Sequence, residues 1–99
     1  MLFAVVCTDR ADTAHIRART LDAHRACIDG CARTLVTSGP LLDDDGTTRN
    51  GQLYIIDVAD RAAADTFVSE DPFTQADLFA TALVRRIKPV IANGLRIRP

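Results

Sequence analysis

The sequence has few cysteines and no long apolar run. Its three cysteines, Cys7, Cys27 and Cys31, are an odd number, which argues against a framework of disulfides and is typical of a reducing compartment. The opening segment 2–7 is apolar, but it has no basic residues before it and is too short for a signal peptide or a membrane span. We therefore expect a cytoplasmic protein with no membrane partner.

Several motifs of common function classes are missing as well. The chain contains no G-x-G-x-x-G and no P-loop, so nothing supports nucleotide phosphate binding, and it lacks the G-x-S-x-G turn of serine hydrolases. Twelve basic residues against 13 acidic ones give a net charge of −1, which argues against nucleic acid as a partner. The sequence also has no internal repeat and no low-complexity tract.

Acidic residues are absent from the C-terminal part of the chain, after Asp77. That part carries five basic residues, Arg85, Arg86, Lys88, Arg96 and Arg98. We interpret them first as a solvated strand followed by a basic tail over about 92–99, and second as a site for an anionic ligand or partner. With 99 residues and a mass of 10.8 kDa, the chain is predicted to form a single domain over 1–99.

The apolar patterning predicts an α+β protein in the order β-α-β-β-α-β. Strands are expected over 2–7, 35–42, 51–58 and 83–91, with a bend at 38–40 and a hairpin loop over 43–51. Helices are expected from a cap at Asp12 or Thr13 to about 31 or 32, from a cap at Asp60 to about 69, and from a cap at Asp71 to about 79.

This order is typical of a ferredoxin-like fold with a four-stranded antiparallel sheet in the order 4-1-3-2. Its edge strands are the ones that carry Pro40 and Pro89, where a missing N–H is tolerated. Helices would cover one face of the sheet and leave an apolar face open. Because a chain of this size is close to marginal stability as a monomer, we expect a homodimer or a higher homo-oligomer.

Two residues stand out as candidates for chemistry. On a helical wheel His24 lies on the apolar arc of the first helix, with Arg17 nearly in line, whereas His15 lies away from it. Spacing alone favours a satisfied core histidine, and the alternative is a general acid or base that needs a partner carboxylate. Asp71 is explained by spacing as the cap before Pro72, a role that is compatible with function.

Other candidates have simpler structural explanations. His24, Cys27 and Cys31 share neighbouring turns, but ligands from one straight helix cannot surround a tetrahedral ion, so no metal and no other cofactor is expected. The sequence Ser38-Gly39-Pro40 is typical of a tight bend at a strand end. Tyr54 is expected to pack across the sheet.

The ordered segments resemble the YCII-related (YciI-like) proteins over nearly the whole chain. The resemblance is carried by Arg17 to Gly30 with Ala23-His24, Leu35 to Leu41, Glu70-Asp71-Pro72-Phe73, Ala76 to Phe79, and Arg86 to Pro89. It implies a ferredoxin-like protomer that forms a dimeric α/β barrel, with His24 and Asp71 as the catalytic pair. It also implies that Arg17, Gly39, Pro40 and Phe73 line the pocket. Ser38 stands where the family often has alanine and could bond a ligand, and Asp77 stands where glycine is common.

One branch of the family looks like a dehydrochlorinase of chlorinated hydroxyhydroquinones. The expected function is thus acid–base chemistry, of lyase, dehydrochlorinase or isomerase type, on a small, cyclic or carbonyl-bearing substrate. Asp71 would fix the tautomer of His24, and Arg17 would hold an anionic group or enolate. The alternative is a non-catalytic dimeric module that binds a small ligand or serves as an accessory protein. A third, weaker one is a relative of the monooxygenases and isomerases with this architecture.

Overall fold

A computed structural model describes residues 1–97 of the chain. Its strands are β1 (Leu2–Asp9), β2 (Leu35–Leu42), β3 (Arg49–Asp57), β4 (Phe79–Ile87), β5 (Ile91–Ala92) and β6 (Leu95–Arg96). Its α-helices are α1 (Ala14–Gly30), α2 (Arg61–Glu70) and α3 (Pro72–Gln75), and a short 3-10 helix covers Ala32–Thr34. Within residues 1–97, no helix is both long enough and apolar enough to cross a lipid bilayer.

The first four strands form one antiparallel sheet in the order β2-β3-β1-β4, which is the predicted 4-1-3-2 order. Val5, near the middle of β1, pairs with Tyr54 on one side and with Val84 on the other. The α+β, ferredoxin-like prediction is therefore confirmed. Pro40 lies in the edge strand β2, as predicted, where its missing N–H interrupts no ladder on the outer side.

Strand periodicity divides the sheet into two faces. Phe3, Val5 and Cys7 of β1 are buried, and the main core joins them to the buried Tyr54 and Ile56 of β3. Of the alternate residues of β1, Leu2, Ala4 and Val6 are half-buried and Thr8 is exposed, because the helices cover one face of the sheet and leave the other open. A smaller core of Ile16, Phe73 and Leu78 lies where α1 meets α3.

The helix caps follow the sequence in two of three cases. Asp60 accepts a hydrogen bond from the Ala63 N–H, and Asp71 accepts one from the Phe73 N–H, as expected for cap residues. Thr13 precedes α1, but its hydroxyl donates to the Arg10 carbonyl oxygen instead of accepting a helix N–H. Asp77 has a left-handed φ of 59°, which is a physical reason why glycine suits this position.

The predicted bend in the second strand is wrong, and so are four of the predicted element boundaries. β2 runs without interruption through 38–40, and β3 begins at Arg49, so the hairpin loop is shorter than expected. α3 ends at Gln75, and β4 begins at Phe79, which pairs with Asp9 across a bulge. β4 ends at Ile87, so Pro89 lies beyond the strand, where it removes no ladder hydrogen bond.

A short hairpin forms where the sequence analysis expected the basic tail. β5 and β6 pair antiparallel, with Ile91 opposite Arg96, around a turn with left-handed Asn93 and Gly94. The hairpin exposes large apolar side chains, including Leu95 at 72%. Arg98, the last basic residue of the predicted tail, lies outside the described residues.

Gly51 is the one glycine whose missing side chain the sheet requires. A Cβ at this position would overlap the carbonyl oxygen of Cys7 in the neighbouring strand, and backbone cannot move aside as a side chain can. We expect Gly51→Ala to lower the free energy of unfolding by about 2 kcal/mol, in the range of overpacked sites. Urea unfolding against Gly30→Ala provides the comparison, since a Cβ at Gly30 meets nothing within 4 Å. Equal stability of the two variants would contradict this prediction.

Candidate functional site

α1 presents a mixed polar and apolar stripe to the sheet. Its buried residues are Ile16, Arg17 and His24, while His15 is exposed. This is the arc that the helical wheel predicted, because positions three and four residues apart share one helix face. α1 therefore carries both candidate polar side chains into the protein.

His24 meets Asp71 at the start of α3. The Nδ1 atom of His24 lies 2.8 Å from Oδ1 of Asp71, across 47 positions of sequence. The side chains are only 7% and 3% exposed, so water screens the pair weakly. The two residues of the predicted catalytic pair are thus adjacent in space.

Asp71 is also bonded from two other directions. Its Oδ1 accepts from the Phe73 N–H at 2.9 Å, and its Oδ2 accepts from the Tyr54 hydroxyl. Burial acts to raise the pKa of Asp71, but the hydrogen bonds from His24, Tyr54 and Phe73 outweigh burial and lower that pKa. For Tyr54, burial and then the Asp71 charge raise the pKa, so the phenol keeps its proton and donates it. Asp71 is therefore an ionised acceptor.

The imidazole of His24 is held in plane by Phe73. The two rings stack with centroids 3.9 Å apart and planes 14° apart. The guanidinium carbon of Arg17 lies 4.9 Å from the centroid of the same Phe73 ring. Phe73, a predicted pocket residue, thus contacts both polar residues of α1.

The guanidinium of Arg17 donates four hydrogen bonds to neighbouring protein groups. Its Nε and one terminal nitrogen donate to the two oxygens of Asp9, at 3.0 and 2.9 Å. The same terminal nitrogen donates to the Gly51 carbonyl oxygen, and the other donates to Oε1 of Gln52, both at 2.9 Å. These bonds use four of the five guanidinium N–H groups. Most of the hydrogen-bonding capacity of Arg17 is therefore already occupied.

Two neighbouring cavities flank this network. The smaller, of about 200 Å³, is lined by the predicted residues Arg17, His24, Ser38, Gly39, Pro40 and Phe73, and also by Gln52. The larger, of about 600 Å³, lies between the start of α1 and the β2–β3 hairpin. Arg17, Leu21 and Arg49 line both. The candidate site is the smaller cavity, because His24 lines it.

Sequence reasoning missed three members of the network, namely Gln52, Asp9 and the polar role of Tyr54. Gln52 and Tyr54 alternate with half-buried residues along β3 and are buried on the helix-covered face. A glutamine on the buried alternation of a strand is a signal that the sequence did contain, because buried amides need partners. Asp9 is the last residue of β1 and carried no comparable signal.

Within the described residues, no cysteine side chain is hydrogen-bonded to this network. All three are free thiols, and Cys31 Sγ donates to the Cys27 carbonyl oxygen at 3.2 Å. Burial, followed by the Asp71 charge, raises the pKa of Cys7 to about 12, so this thiol stays protonated. Within residues 1–97, no three His, Cys, Asp or Glu side chains are grouped closely enough to hold a metal ion.

The lowered pKa of Asp71 predicts a specific loss of stability in acid. A carboxyl group with a lowered folded-state pKa stabilises the fold above its ordinary pKa of about 3.9, and this contribution disappears as the pH falls through the lowered value. We expect the stability difference between the wild type and Asp71→Asn to be constant near neutrality and to shrink below about pH 4. Urea unfolding across this range measures it. An unchanged difference in acid would contradict the prediction.

The architecture is that of a ferredoxin-like α+β protein with a buried histidine–carboxylate pair beside a small cavity. The model of the YCII-related domain matches residues 1–88, and the chain belongs to this family. Among curated proteins, none matches the chain.

Two solved structures are similar to the chain. The first is the 5-chloro-2-hydroxyhydroquinone dehydrochlorinase of Burkholderia phenoliruptrix AC1100, in complex with 2,5-dihydroxybenzoquinone. It is 30% identical, with a TM-score of 0.83 over 89% of this chain and 94% of that one. The second is an antibiotic biosynthesis monooxygenase, 16% identical, with a TM-score of 0.50 over 90% and 100% of the two chains. The second likeness is one of fold alone.

Proposed function

We propose that this chain is an enzyme in which His24 and Asp71 form a general acid–base pair acting on a small oxygenated ring compound. The observation that carries the proposal is the 2.8 Å contact of His24 Nδ1 with the ionised Asp71, in a histidine that lines a cavity. A carboxylate on Nδ1 leaves Nε2 as the nitrogen that exchanges a proton with substrate. Reaction types that need only such a shuttle are lyase, dehydrochlorinase and isomerase reactions.

Dehydrochlorination of a chlorinated trihydroxybenzene is the reaction we favour. His24 takes a hydroxyl proton and returns it to the ring carbon that bears chlorine, which makes the adjacent C–O group a ketone. Chloride then leaves with its bonding pair as a second hydroxyl proton goes to solvent, and a hydroxybenzoquinone results. The step releases HCl and needs no oxidant. Support comes from the 30% identical structure neighbour, whose name describes this activity.

The walls of the smaller cavity are proposed to contact the ring. Ser38, Gly39, Pro40 and Phe73 line it together with His24. Ser38 supplies a hydroxyl for a substrate oxygen. Arg17 supplies positive charge near that oxygen. Its effect is mainly electrostatic, because four of its five N–H groups already donate to protein acceptors.

The test combines binding and turnover. Purified protein is titrated with 2,5-dihydroxybenzoquinone by calorimetry, and chloride release from 5-chloro-2-hydroxyhydroquinone is measured with a chloride electrode. Chloride release that His24→Gln abolishes and His15→Gln preserves supports the proposal, since His15 is exposed. Binding of 2,5-dihydroxybenzoquinone that depends on His24, without chloride release, favours the non-catalytic ligand-binding or accessory module. If the protein shows no binding and no turnover, that result counts against both the enzyme and the non-catalytic binding module.

We also propose that two copies pair through the open face of the sheet, as in a dimeric α/β barrel. Val6 is flanked there by Leu53 and Leu83, so the centre of the uncovered face is apolar. Leu83 is 46% exposed in the single chain, and burying it against a second copy removes apolar surface from water.

Leu83→Lys is expected to convert the dimer to a monomer by light scattering after size exclusion. Leu42→Lys is the matched control, because Leu42 is 43% exposed but lies at the end of edge strand β2. A monomeric wild type, or two variants that both stay dimeric, would count against this interface.

We propose finally that residues 1–99 act as one domain in the cytoplasm. The match of the family model to residues 1–88 and the three free thiols support this proposal. Intact-mass measurement of the protein from cytoplasmic extract, before and after thiol alkylation under native and denaturing conditions, tests the thiol state. A disulfide in that material would count against it.

A further inference from the structure

The orientation of the Gln52 side chain is determined by Arg17. Gln52 is 3% exposed, and the oxygen and nitrogen of a glutamine amide look alike in shape. A guanidinium can only donate hydrogen bonds, so the Gln52 atom that lies 2.9 Å from Arg17 must be the acceptor oxygen. The amide nitrogen therefore points the other way.

That nitrogen faces His24. Gln52 Nε2 lies 3.5 Å from His24 Nε2, a long contact between two nitrogens inside the protein. An amide NH₂ group offers only N–H donors, so the contact is favourable only where the imidazole nitrogen has a free lone pair. A proton on His24 Nε2 would set two N–H groups against each other in a buried place, where unpaired donors are costly.

Arg17 itself has little freedom to turn. Both oxygens of Asp9 hold it at 2.9 to 3.0 Å, and the Gly51 carbonyl oxygen accepts a further bond at 2.9 Å. The side chains of the Asp9–Arg17 pair are 10% and 8% exposed, so this pair is a rigid buried unit. Asp9 thus fixes the guanidinium of Arg17, and Arg17 in turn orients the Gln52 amide toward Nε2 of His24.

We propose that Gln52 is a positioning residue, held by the Asp9–Arg17 pair, that keeps Nε2 of His24 unprotonated between turnovers, so that this nitrogen meets the substrate as a base and readily returns the proton that it takes up. The inference deepens the proposed function and rests on it for its catalytic meaning. Asp71 holds the proton on Nδ1, and Gln52 independently disfavours a proton on Nε2. Asp71 accepts equally well from the neutral Nδ1–H ring and from the doubly protonated ring, so without Gln52 no group would disfavour a second proton on Nε2.

The tautomer of His24 is directly measurable without a substrate. The chain has only two histidines, and exposed His15 gives an internal reference in every spectrum. Two-bond ¹H–¹⁵N spectra at about pH 8.5, about two units above the ordinary pKa of imidazole, distinguish the two neutral tautomers from the doubly protonated ring. We expect wild-type His24 to carry its proton on Nδ1. A proton on Nε2 in the wild type would overturn the inference.

Gln52→Glu separates the effect of Gln52 from that of Asp71. A glutamate of the same shape still accepts from Arg17, but it offers an acceptor to His24 where Gln52 offered a donor. We expect both ring nitrogens of His24 to be protonated at this pH in the variant. Gln75→Glu is the matched control, since Gln75 is exposed and the charge change is the same; it should keep the wild-type pattern. A neutral His24 in folded Gln52→Glu would overturn the inference.

Asp71→Ala provides a second variant if Gln52→Glu does not fold. Alanine has no side-chain acceptor, so the variant removes the preference of Asp71 for a proton on Nδ1 and leaves Gln52 as the group that distinguishes the two ring nitrogens. With Gln52 in place, we expect His24 to keep its proton on Nδ1 in this variant. A mixture of tautomers, or a proton on Nε2, would show that Gln52 does not set the state.

Turnover distinguishes failure of this inference from failure of the proposed function. Chloride release from 5-chloro-2-hydroxyhydroquinone should be about 100-fold slower in Gln52→Glu than in Gln75→Glu. Equal rates overturn the catalytic meaning of Gln52 even if the spectra are as expected. If no substrate is turned over but the spectra agree, Gln52 still sets the tautomer of His24 and only the enzymatic proposal fails.

Discussion

Replacing His24 with glutamine is expected to lower kcat/KM at least about 100-fold on the substrate that the chain turns over, because a positioned acid or base contributes factors of about 100 to 10,000. Glutamine keeps the approximate volume and polarity of the side chain but cannot exchange a proton. It can still donate to Asp71, so the carboxylate beside Tyr54 is not left without a partner on that side. The loss should therefore appear in kcat with little change in the unfolding midpoint.

The controls for this prediction come from the same network. His15→Gln makes the same chemical change at an exposed position of α1 and should leave kcat/KM unchanged. Tyr54→Phe removes one bond to Asp71 without touching either ring nitrogen of His24, and we expect a smaller loss than for His24→Gln. Wild-type rates in folded His24→Gln, measured with pre-steady-state and steady-state assays, would remove His24 from the chemistry.

The sequence was sufficient to find His24 and Asp71 for two different reasons. His24 falls on the buried arc of a 17-residue helix, and the helical repeat alone determines that placement. Asp71 precedes a proline at a helix start, and its cap bond to the Phe73 N–H shows that this local rule holds. Their adjacency, however, is a tertiary contact between α1 and α3. No local rule predicts it, and the family resemblance supplied the pairing.

For Gln52 and Tyr54, the sequence pattern predicts burial but not the hydrogen-bond partners. Alternation along β3 is enough to assign both to the buried face of the sheet. It does not say that Gln52 meets a guanidinium on one side and an imidazole on the other, because those partners lie 35 and 28 positions away. The role of Tyr54 was missed for the same reason, since its hydroxyl reaches a carboxylate 17 positions away instead of packing only across the strands.

The predicted end of β4 was wrong because apolar residues continue in the sequence beyond the last residue that has a partner in β1. β4 was expected to continue to Ile91, but β1 offers no residue beyond Leu2 to pair with, and Leu2 lies opposite Ile87. The apolar residues beyond that point form their own hairpin, β5–β6, as Ile91 pairs with Arg96. At its other end β4 begins early, because Asp9 extends β1 far enough to pair with Phe79. Strand length here is set by the neighbour, which a single segment does not reveal.

Asp9→Asn is expected to have the largest effect on stability, a loss of about 3 kcal/mol in the free energy of unfolding, because it leaves the buried Arg17 charge without a counterion. The asparagine amide can replace at most one of the two acceptor oxygens that Arg17 now uses. Urea unfolding at neutral pH measures the loss.

Asp65→Asn is the matched control: its exposed partner Arg61 lies at 3.0 Å on the same helix, and exposed pairs of this kind contribute about 0.5 kcal/mol or less. Equal losses in the two variants would mean that the Asp9–Arg17 pair is no more important than a surface contact, and that Gln52 is oriented without it. A large loss for Asp9→Asn alone, together with a mixed His24 tautomer in that variant, would trace the protonation state of the site to a carboxylate at the end of β1.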